Sequence, residues 1–320
     1  MHDKTALVTG GAGFIGSHIV EYLVRHGWYV RVVDNLSSGH IENLEHVKDS
    51  PNLEITIVDL KDQRTIHKIV EDVEVVFHYA ANPEVRVSTT HPRIHFNENV
   101  VATFNLLEAM RESNVKYLVF ASSSSVYGEP DTILVPEDAP LKPVSVYGAS
   151  KVACEALIHA YSELYGIKSV ILRYANVIGP RIRHGVVYDF VQKLVREPRK
   201  LEILGDGTQI RSFIYIDDAI TATMLALNKL TKQVEIYNVA SEDWITIKQV
   251  ADIVVEAMGL KNVTYIYKPV LHGVGWLGDV KRVTLDISKL KNIGFKPRYS
   301  SRDAVRLTVQ ALLRELTSRV

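Results

Sequence analysis

Tyr147 and Lys151 stand four residues apart in Tyr147–Tyr165, a stretch with helical apolar spacing, so both side chains leave one helix face. A phenol beside an ammonium can exchange a proton with a bound hydroxyl. Free tyrosine titrates near ~10, so work as a base at neutrality needs about three units, roughly 4 kcal/mol. An ammonium about 5 Å away, at an effective dielectric of ~20, supplies roughly 3 kcal/mol of this. Alone, the pair could equally be a solvated tyrosine next to a lysine. Its meaning depends on what the rest of the chain brings to it.

The other chemical signal is Gly10, Gly13 and Gly16, set between the short apolar run Thr5–Val8 and the helical pattern Phe14, Ile15, Ile19, Leu23, Val24. A strand–turn–helix needs residues without a Cβ at those positions: to turn the chain, to let backbone touch a pyrophosphate, and to let helix pack on sheet. The helix start offers free N–H groups and about half a positive charge to phosphates. The next predicted strand, Tyr29–Val33, ends on Asp34, eighteen residues past Gly16. A carboxylate there suits the ribose hydroxyls of NAD and repels the extra phosphate of NADP. The competing use of Asp34 is to cap the loop through Asn35, Ser37, Ser38 and Gly39. An oxidised nicotinamide, itself cationic, would bring the remaining positive charge to Tyr147.

Strands and helices alternate through the first half. Strands are expected at Leu53–Val58, ending at Asp59–Leu60; at Val73–Tyr79, leading to Ala80–Ala81; and at Lys116–Ala121, opening into Ser122–Ser125. Helices are expected at Asp62–Val70, His91–Glu112 (with Asn99 near its middle) and Tyr147–Tyr165, followed by a strand Lys168–Tyr174. This is the pattern of a Rossmann-type α/β fold, a doubly wound parallel sheet. Later the rhythm changes. Helices are predicted at Val186–Val195, Asp217–Asn228, Ile247–Met258, Asp286–Ile293 and Ser301–Leu316, with strands at Ile210–Ile216 and Glu235–Val239. The predicted division is residues 1–176 plus 212–246 for the dinucleotide, and 177–211 plus 247–320 as a smaller interleaved C-terminal substrate domain. The substrate crevice is expected between them.

The 320 residues carry 37 basic and 37 acidic side chains, so no long-range field recruits nucleic acid or an anionic membrane. No apolar run is long enough for a membrane span, and residues 1–20 lack a secretion signal. One cysteine, Cys154, suits a reducing, cytoplasmic setting, and no Cys/His cluster has metal spacing.

Taken together, Thr9–Gly16, Asp34–Gly39, Ser122–Gly128, Tyr147–Lys151 and Arg173–Asn176 resemble the extended short-chain dehydrogenase/reductase family, and within it the UDP-galactose 4-epimerases. The resemblance implies Tyr147 as acid/base, Lys151 as the group lowering its pKa and binding the nicotinamide ribose, Ser123 (or Ser124) as proton relay, and Asn99 as the helix asparagine of the catalytic set. It implies a resident, turnover-regenerated NAD on Gly10, Gly13, Phe14, Ile15, Gly16, Asp34, Asn35, Ser37, Ser38, Gly39, Asp59, Leu60, Ala80, Ala81, Asn99, Ser122, Tyr147, Lys151 and Tyr174. It also implies a UDP-sugar on Ser123, Ser124, Tyr147, Asn176, Arg211 and Asp279, with Arg211 pairing the diphosphate. The alternative for Arg211 is an ion pair with Asp217 or Asp218. Similar proteins dimerise through the two helices near 91–112 and 147–165, so a homodimer is expected.

Dehydratases of this family carry Asp-Glu where this chain has Ser124–Ser125, which argues against dehydration. Uronate epimerases, decarboxylases, reductases and a non-catalytic NAD sensor remain as alternatives. The chain departs from the epimerase pattern at Pro83, where a lysine is expected, and at Trp276–Leu277, where an arginine precedes Gly-Asp. Lys281, Arg282 or Arg86 would then meet the phosphate charge. Val283 falls where a bulky tyrosine excludes N-acetyl groups, which leaves room for an N-acetylated sugar.

Overall fold

The computed structural model describes residues 4–317. Six strands alternate with helices: β1 (Thr5–Thr9), β2 (Tyr29–Asp34), β3 (Leu53–Ile57), β4 (Val75–His78), β5 (Tyr117–Ser123) and β6 (Lys168–Tyr174). With Val234–Val239 they form a seven-stranded sheet in the order Val234–Val239, β6, β5, β4, β1, β2, β3. β1 pairs in parallel with β2 and β4, β2 with β3, and β4 with β5. Strand order reverses between β1 and β4, the switch point of a doubly wound sheet, beside which ligands bind. β4 is buried along its whole length, as its continuous apolar run requires under helices on both faces.

The chain divides into two compact units. The first holds residues up to Ser123, Val146–Arg173 and Thr223–Tyr237. Its core gathers Leu7, Ile66, Leu106, Leu107, Phe120, Ile158 and Ile171, all at or below 1% exposure. Each such side chain contributes about 1.5–3 kcal/mol on burial. Helix Gln63–Val70 begins on an Asp62 side chain that accepts the Thr65 amide. The expected helix His91–Glu112 is interrupted. Arg93–His95 is α-helical, Phe96–Val101 is a π-turn, and Ala102–Glu112 resumes the α-helix.

Inside this unit a buried ion pair ties three elements. Arg173 on β6 donates to Glu155 on the helix Val146–Tyr165 at 2.7 Å, both about 4% exposed or less, and Ser122 at the end of β5 donates to the same carboxylate. Neither charge is near solvent, so each depends on the other.

The second unit holds Ser124–Ser145, Tyr174–Ala222 and the chain from Asn238 onward. Residues 124–145, read from sequence as part of the dinucleotide domain, pack here instead. Tyr127 donates to Asn238 at 2.8 Å, Asn238 donates to the Val135 carbonyl at 2.8 Å, and the Val135 amide reaches Thr284 at 3.0 Å. The predicted strand Ile210–Ile216 is broken at Ser212. Ile210–Arg211 joins Ile245–Thr246 and Arg282–Val283, while Phe213–Tyr215 pairs with Asn176–Ile178. The cause is local: the Ser212 carbonyl turns aside to accept both the amide and side-chain N–H of Asn176, and its hydroxyl meets Ser241 at 2.8 Å. Lys200–Leu204 pairs in parallel with Thr264–Lys268, a strand the sequence did not announce. Among the described residues no helix is long and apolar enough to cross a membrane.

Removing one partner of the buried pair leaves an uncompensated charge. Arg173→Met should lose about 3–5 kcal/mol of stability, and adding Glu155→Gln should recover more than half of it. Urea midpoints at constant m-value measure both; a mild effect of Arg173→Met would show that Glu155 does not depend on its partner.

Candidate active site

The turn after β1 shows why glycine is needed. Gly10 has φ +66°, and a Cβ there would lie 2.7 Å from the Ala80 nitrogen, just beyond β4. At Gly16 a Cβ would sit 2.1 Å from the Gly10 carbonyl oxygen, so the helix Phe14–Arg25 could not cross so close. At Gly13 only that same carbonyl lies near, at 3.0 Å. Gly13 caps the helix without any side-chain hydrogen bond, which leaves the first turn's amides for an anion.

Asp34 braces the loop, one of the two uses that the sequence allowed. Its carboxylate, 7% exposed, accepts the Ala12 amide at 3.0 Å and the Leu36 amide at 2.8 Å, and burial raises its pKa. Two carboxylate oxygens offer about four acceptor positions, so capacity remains for ribose hydroxyls. Gly39 lies against it: a Cβ there would come within 2.8 Å of both oxygens. Asn35 donates to Asp59 at 3.0 Å, Ser37 and Ser38 are exposed, and Leu60 is buried with its carbonyl held by Asn105. The cradle, the free helix start and the carboxylate fit a dinucleotide.

Within the same unit stand the residues expected to form the acid/base set. The Tyr147 phenol hydrogen-bonds Ser123, as expected for a relay. Lys151 is 3% exposed, donates to the Ala121 carbonyl at 2.7 Å, and lies 4.8 Å from the Phe120 ring centroid and 5.9 Å from that of Tyr147. Asn99 does not spend its amide on either. It donates to Ser150 at 2.8 Å and accepts the Asn82 amide at 3.0 Å; Ser150 donates in turn to the Tyr147 carbonyl at 2.7 Å. Asn99 therefore positions the helix of Tyr147. Ser122, expected on the cofactor, gives its hydroxyl to Glu155. Ala80 and Ala81 are half-buried beyond β4, and Tyr174 is buried at the end of β6.

The expected direction of the Tyr147 shift is corrected. Burial raises the phenol to about 12 and lowers the Lys151 ammonium to about 8. The lysine thus loses its charge well before the phenol would ionise. Burial is the chief cause of both shifts, and the hydrogen bond with Ser123 works against it at the phenol.

In the second unit, Arg211 is largely buried and donates to Asp279 at 2.8 Å, to Val280 at 2.6 Å and to the Ile210 carbonyl at 2.8 Å. Asp217 and Asp218 are instead paired with Arg298. Asn176 donates to Ser212 at 3.0 Å. Lys281 bridges Asp206 at 2.5 Å, Arg86 of the first unit bridges Glu84 at 3.0 Å, and Arg282 is exposed. Ser124 opens a 3₁₀ turn, Ser124–Tyr127.

Three side chains near Tyr147 escaped the sequence reading. His95 is fully buried and set edge-to-face against the Tyr147 ring, centroids 5.5 Å apart; Ser150 and Thr103 complete the surroundings of Asn99. A signal existed: His95, Asn99 and Thr103 recur at intervals of four, a polar stripe through an otherwise apolar helix face. Cys154, the sole cysteine, is buried and touches Thr103 and the Asn99 carbonyl.

Known proteins share this architecture over nearly the whole chain. Residues 6–240 match the model of the NAD dependent epimerase/dehydratase family. A putative UDP-glucose 4-epimerase of Methanocaldococcus jannaschii is 38% identical, covering 95% of this chain and 96% of its own length. A crystal structure of a UDP-galactose 4-epimerase superposes with TM-score 0.87 at 46% identity, covering 98% of this chain and 99% of that one. The Thermus thermophilus UDP-glucose 4-epimerase, solved with NAD, gives TM-score 0.85 at 36% identity over 97% of this chain and 99% of that one. A UDP-N-acetylglucosamine 4-epimerase from Methanobrevibacter ruminantium, solved with UDP-N-acetylmuramic acid, gives 0.88 at 35% over 98% and 100%. With its glycine cradle, Asp34 and Tyr147–Lys151 pair in place, this chain belongs to the NAD dependent epimerase/dehydratase family.

Proposed function

We propose that the protein is an NAD-dependent isomerase that interconverts UDP-galactose and UDP-glucose through a 4-keto sugar. The observation that carries this reading is the Tyr147 phenol, hydrogen-bonded to Ser123, buried beside Lys151 and mounted on the unit that holds the glycine cradle. NAD, when bound, supplies a hydride acceptor and a positive charge at its ring. Tyr147 takes the 4-hydroxyl proton, directly or through Ser123, and returns it when the sugar is reduced from the other face. Lys151, charged below about 8 and fixed by the Ala121 carbonyl, adds positive potential at neutral pH. Ser124 and Ser125 supply no acid pair for dehydration.

Arg211 and Asn176 are the diphosphate ligands in this reading, with Arg282 as the exposed cation nearest Val283 in sequence. Asp279 then orients Arg211, whose two Nη groups are taken by Asp279 and by the Ile210, Val280 and Lys281 carbonyls, so Nε–H is the donor left for phosphate. The N-acetylated sugars are a second substrate class. Val283 is small, and the Methanobrevibacter ruminantium relative is a UDP-N-acetylglucosamine 4-epimerase.

The dimer reading rests on apolar surface. Phe96 and Phe104 on the helix running 93–112, and Leu164 and Tyr165 on Val146–Tyr165, are 42–72% exposed, and the Phe104 and Tyr161 rings touch at 6.3 Å. A second copy of the chain would cover them. The sole thiol, unpaired and buried, suits a reducing cytoplasm.

Purified protein incubated with UDP-galactose and no added cofactor should yield UDP-glucose by NMR, and UDP-N-acetylgalactosamine should yield its 4-epimer. Tyr147→Phe should lower kcat by about 10²–10⁴; parent-like turnover would refute the assignment.

Lys151→Met tests the electrostatics. A lysine titrating near 8 when folded and 10.5 when unfolded costs stability below pH 8, and that cost fades toward pH 10.5. The variant should therefore melt a few degrees higher at pH 7, with a gain that shrinks as pH rises, while losing turnover. A gain that grows with pH would mean that burial does not disfavour the Lys151 charge.

Phe104→Glu with Leu164→Glu should convert a dimer to monomer in sedimentation velocity. A parent protein that sediments as monomer would remove the dimer reading.

A further inference from the structure

A buried chain of hydrogen bonds runs from the cofactor turn to the π-turn of Asn99, and its direction can be deduced atom by atom. Thr9, His78, Thr103 and Asn99 are each at most 1% exposed. Thr103 Oγ1 lies 2.6 Å from the Asn99 carbonyl, which only accepts, so the single Thr103 proton points there. Toward His78 Nε2, at 2.9 Å, Thr103 can then only accept, so Nε2 carries the hydrogen. A buried neutral imidazole has no second hydrogen, so Nδ1 accepts from the Thr9 hydroxyl at 2.7 Å. With its proton committed, Thr9 Oγ1 accepts the Ala80 amide at 3.3 Å. The chain therefore runs in one direction, from Ala80 to Asn99.

The two ends matter to the reaction. Ala80 is the residue against which Gly10 turns, with no room for a Cβ between them. Asn99 has its amide orientation fixed in the same way. Ser150 spends its proton on the Tyr147 carbonyl and so accepts from Asn99 Nδ2, while the Asn82 amide requires Asn99 Oδ1. The Cys154 thiol, on the helix of Tyr147, reaches both Thr103 Oγ1 at 3.3 Å and the Asn99 carbonyl at 3.4 Å. Thr103 is the junction of β4, the π-turn and the Tyr147 helix.

We propose that Thr103, held by His78, is a positioning residue for the acid/base step: it fixes the Asn99 π-turn and, through Ser150, the first turn of the helix that carries Tyr147. This rests on the reading of Tyr147 as the acid/base; the hydrogen-bond direction does not. Thr103→Val keeps the shape and removes the hydroxyl, whereas Thr103→Ser keeps the hydroxyl. We expect Thr103→Val to lower kcat 10- to 100-fold, with KM for UDP-galactose and bound NAD within threefold of the parent, and Thr103→Ser to stay within threefold in kcat. If Thr103→Val does not fold, Thr9→Val breaks the same chain from its other end and should lower kcat at least threefold. In ¹⁵N-histidine NMR, His78 should carry its hydrogen on Nε2 in the parent and in Thr103→Ser. Parent-like kcat in Thr103→Val or Thr9→Val, equal losses in the valine and serine variants at Thr103, or an Nδ1–H tautomer at His78 would overturn the proposal. An inactive parent with the Nε2–H tautomer would refute the reading of Tyr147 and leave the chain's direction standing.

Discussion

Desolvation is the constraint around which this protein is arranged. The apolar sheet that positions Tyr147 and Lys151 also strips them of water, and that pushes both toward their uncharged forms. A scaffold rigid enough to hold a proton-transfer pair is thus hostile to the charges the pair needs. The remedy is fixed polarity: the Ala121 carbonyl faces the ammonium and Ser123 meets the phenol, and in the proposed reaction bound NAD would add a cationic ring. In that reading chemistry is coupled to occupancy, because burial alone holds the proton on the phenol.

The same logic governs polar groups paired within the protein. Glu155 and Arg173 neutralise one another inside the first unit, and Ser122 adds a third contact. His78 is held neutral, far below its usual pKa, by burial between two threonines. Such groups are costly unless each is satisfied, and satisfying them fixes the spacing of the strands and helices that bear them.

Much of this was legible in the residues. Strand–helix alternation and the glycine turn led to the doubly wound sheet, and the family resemblance offered Ser123, with Ser124 as the alternative, as the phenol's partner. The π-turn at Phe96–Val101 was not, since no sequence pattern distinguishes one extra residue in a helix from a regular turn. The sign of the Tyr147 shift was missed because it depends on depth below the surface, and spacing along a helix carries no information about depth. The break at Ser212 escaped because alternating apolar residues specify a pleat but not which neighbour it pairs with.

Asp34 bears on how such a protein can change over evolutionary time. Its carboxylate braces the turn through the Ala12 and Leu36 amides and leaves no room for a larger residue at Gly39. In the reading where Asp34 meets the ribose hydroxyls, coenzyme preference is therefore not an isolated setting. A shift to the phosphorylated dinucleotide would have to rebuild the loop in the same step, because the carboxylate to be replaced also holds it. Lineages with this arrangement would be held to their redox currency by architecture as much as by selection on the reaction.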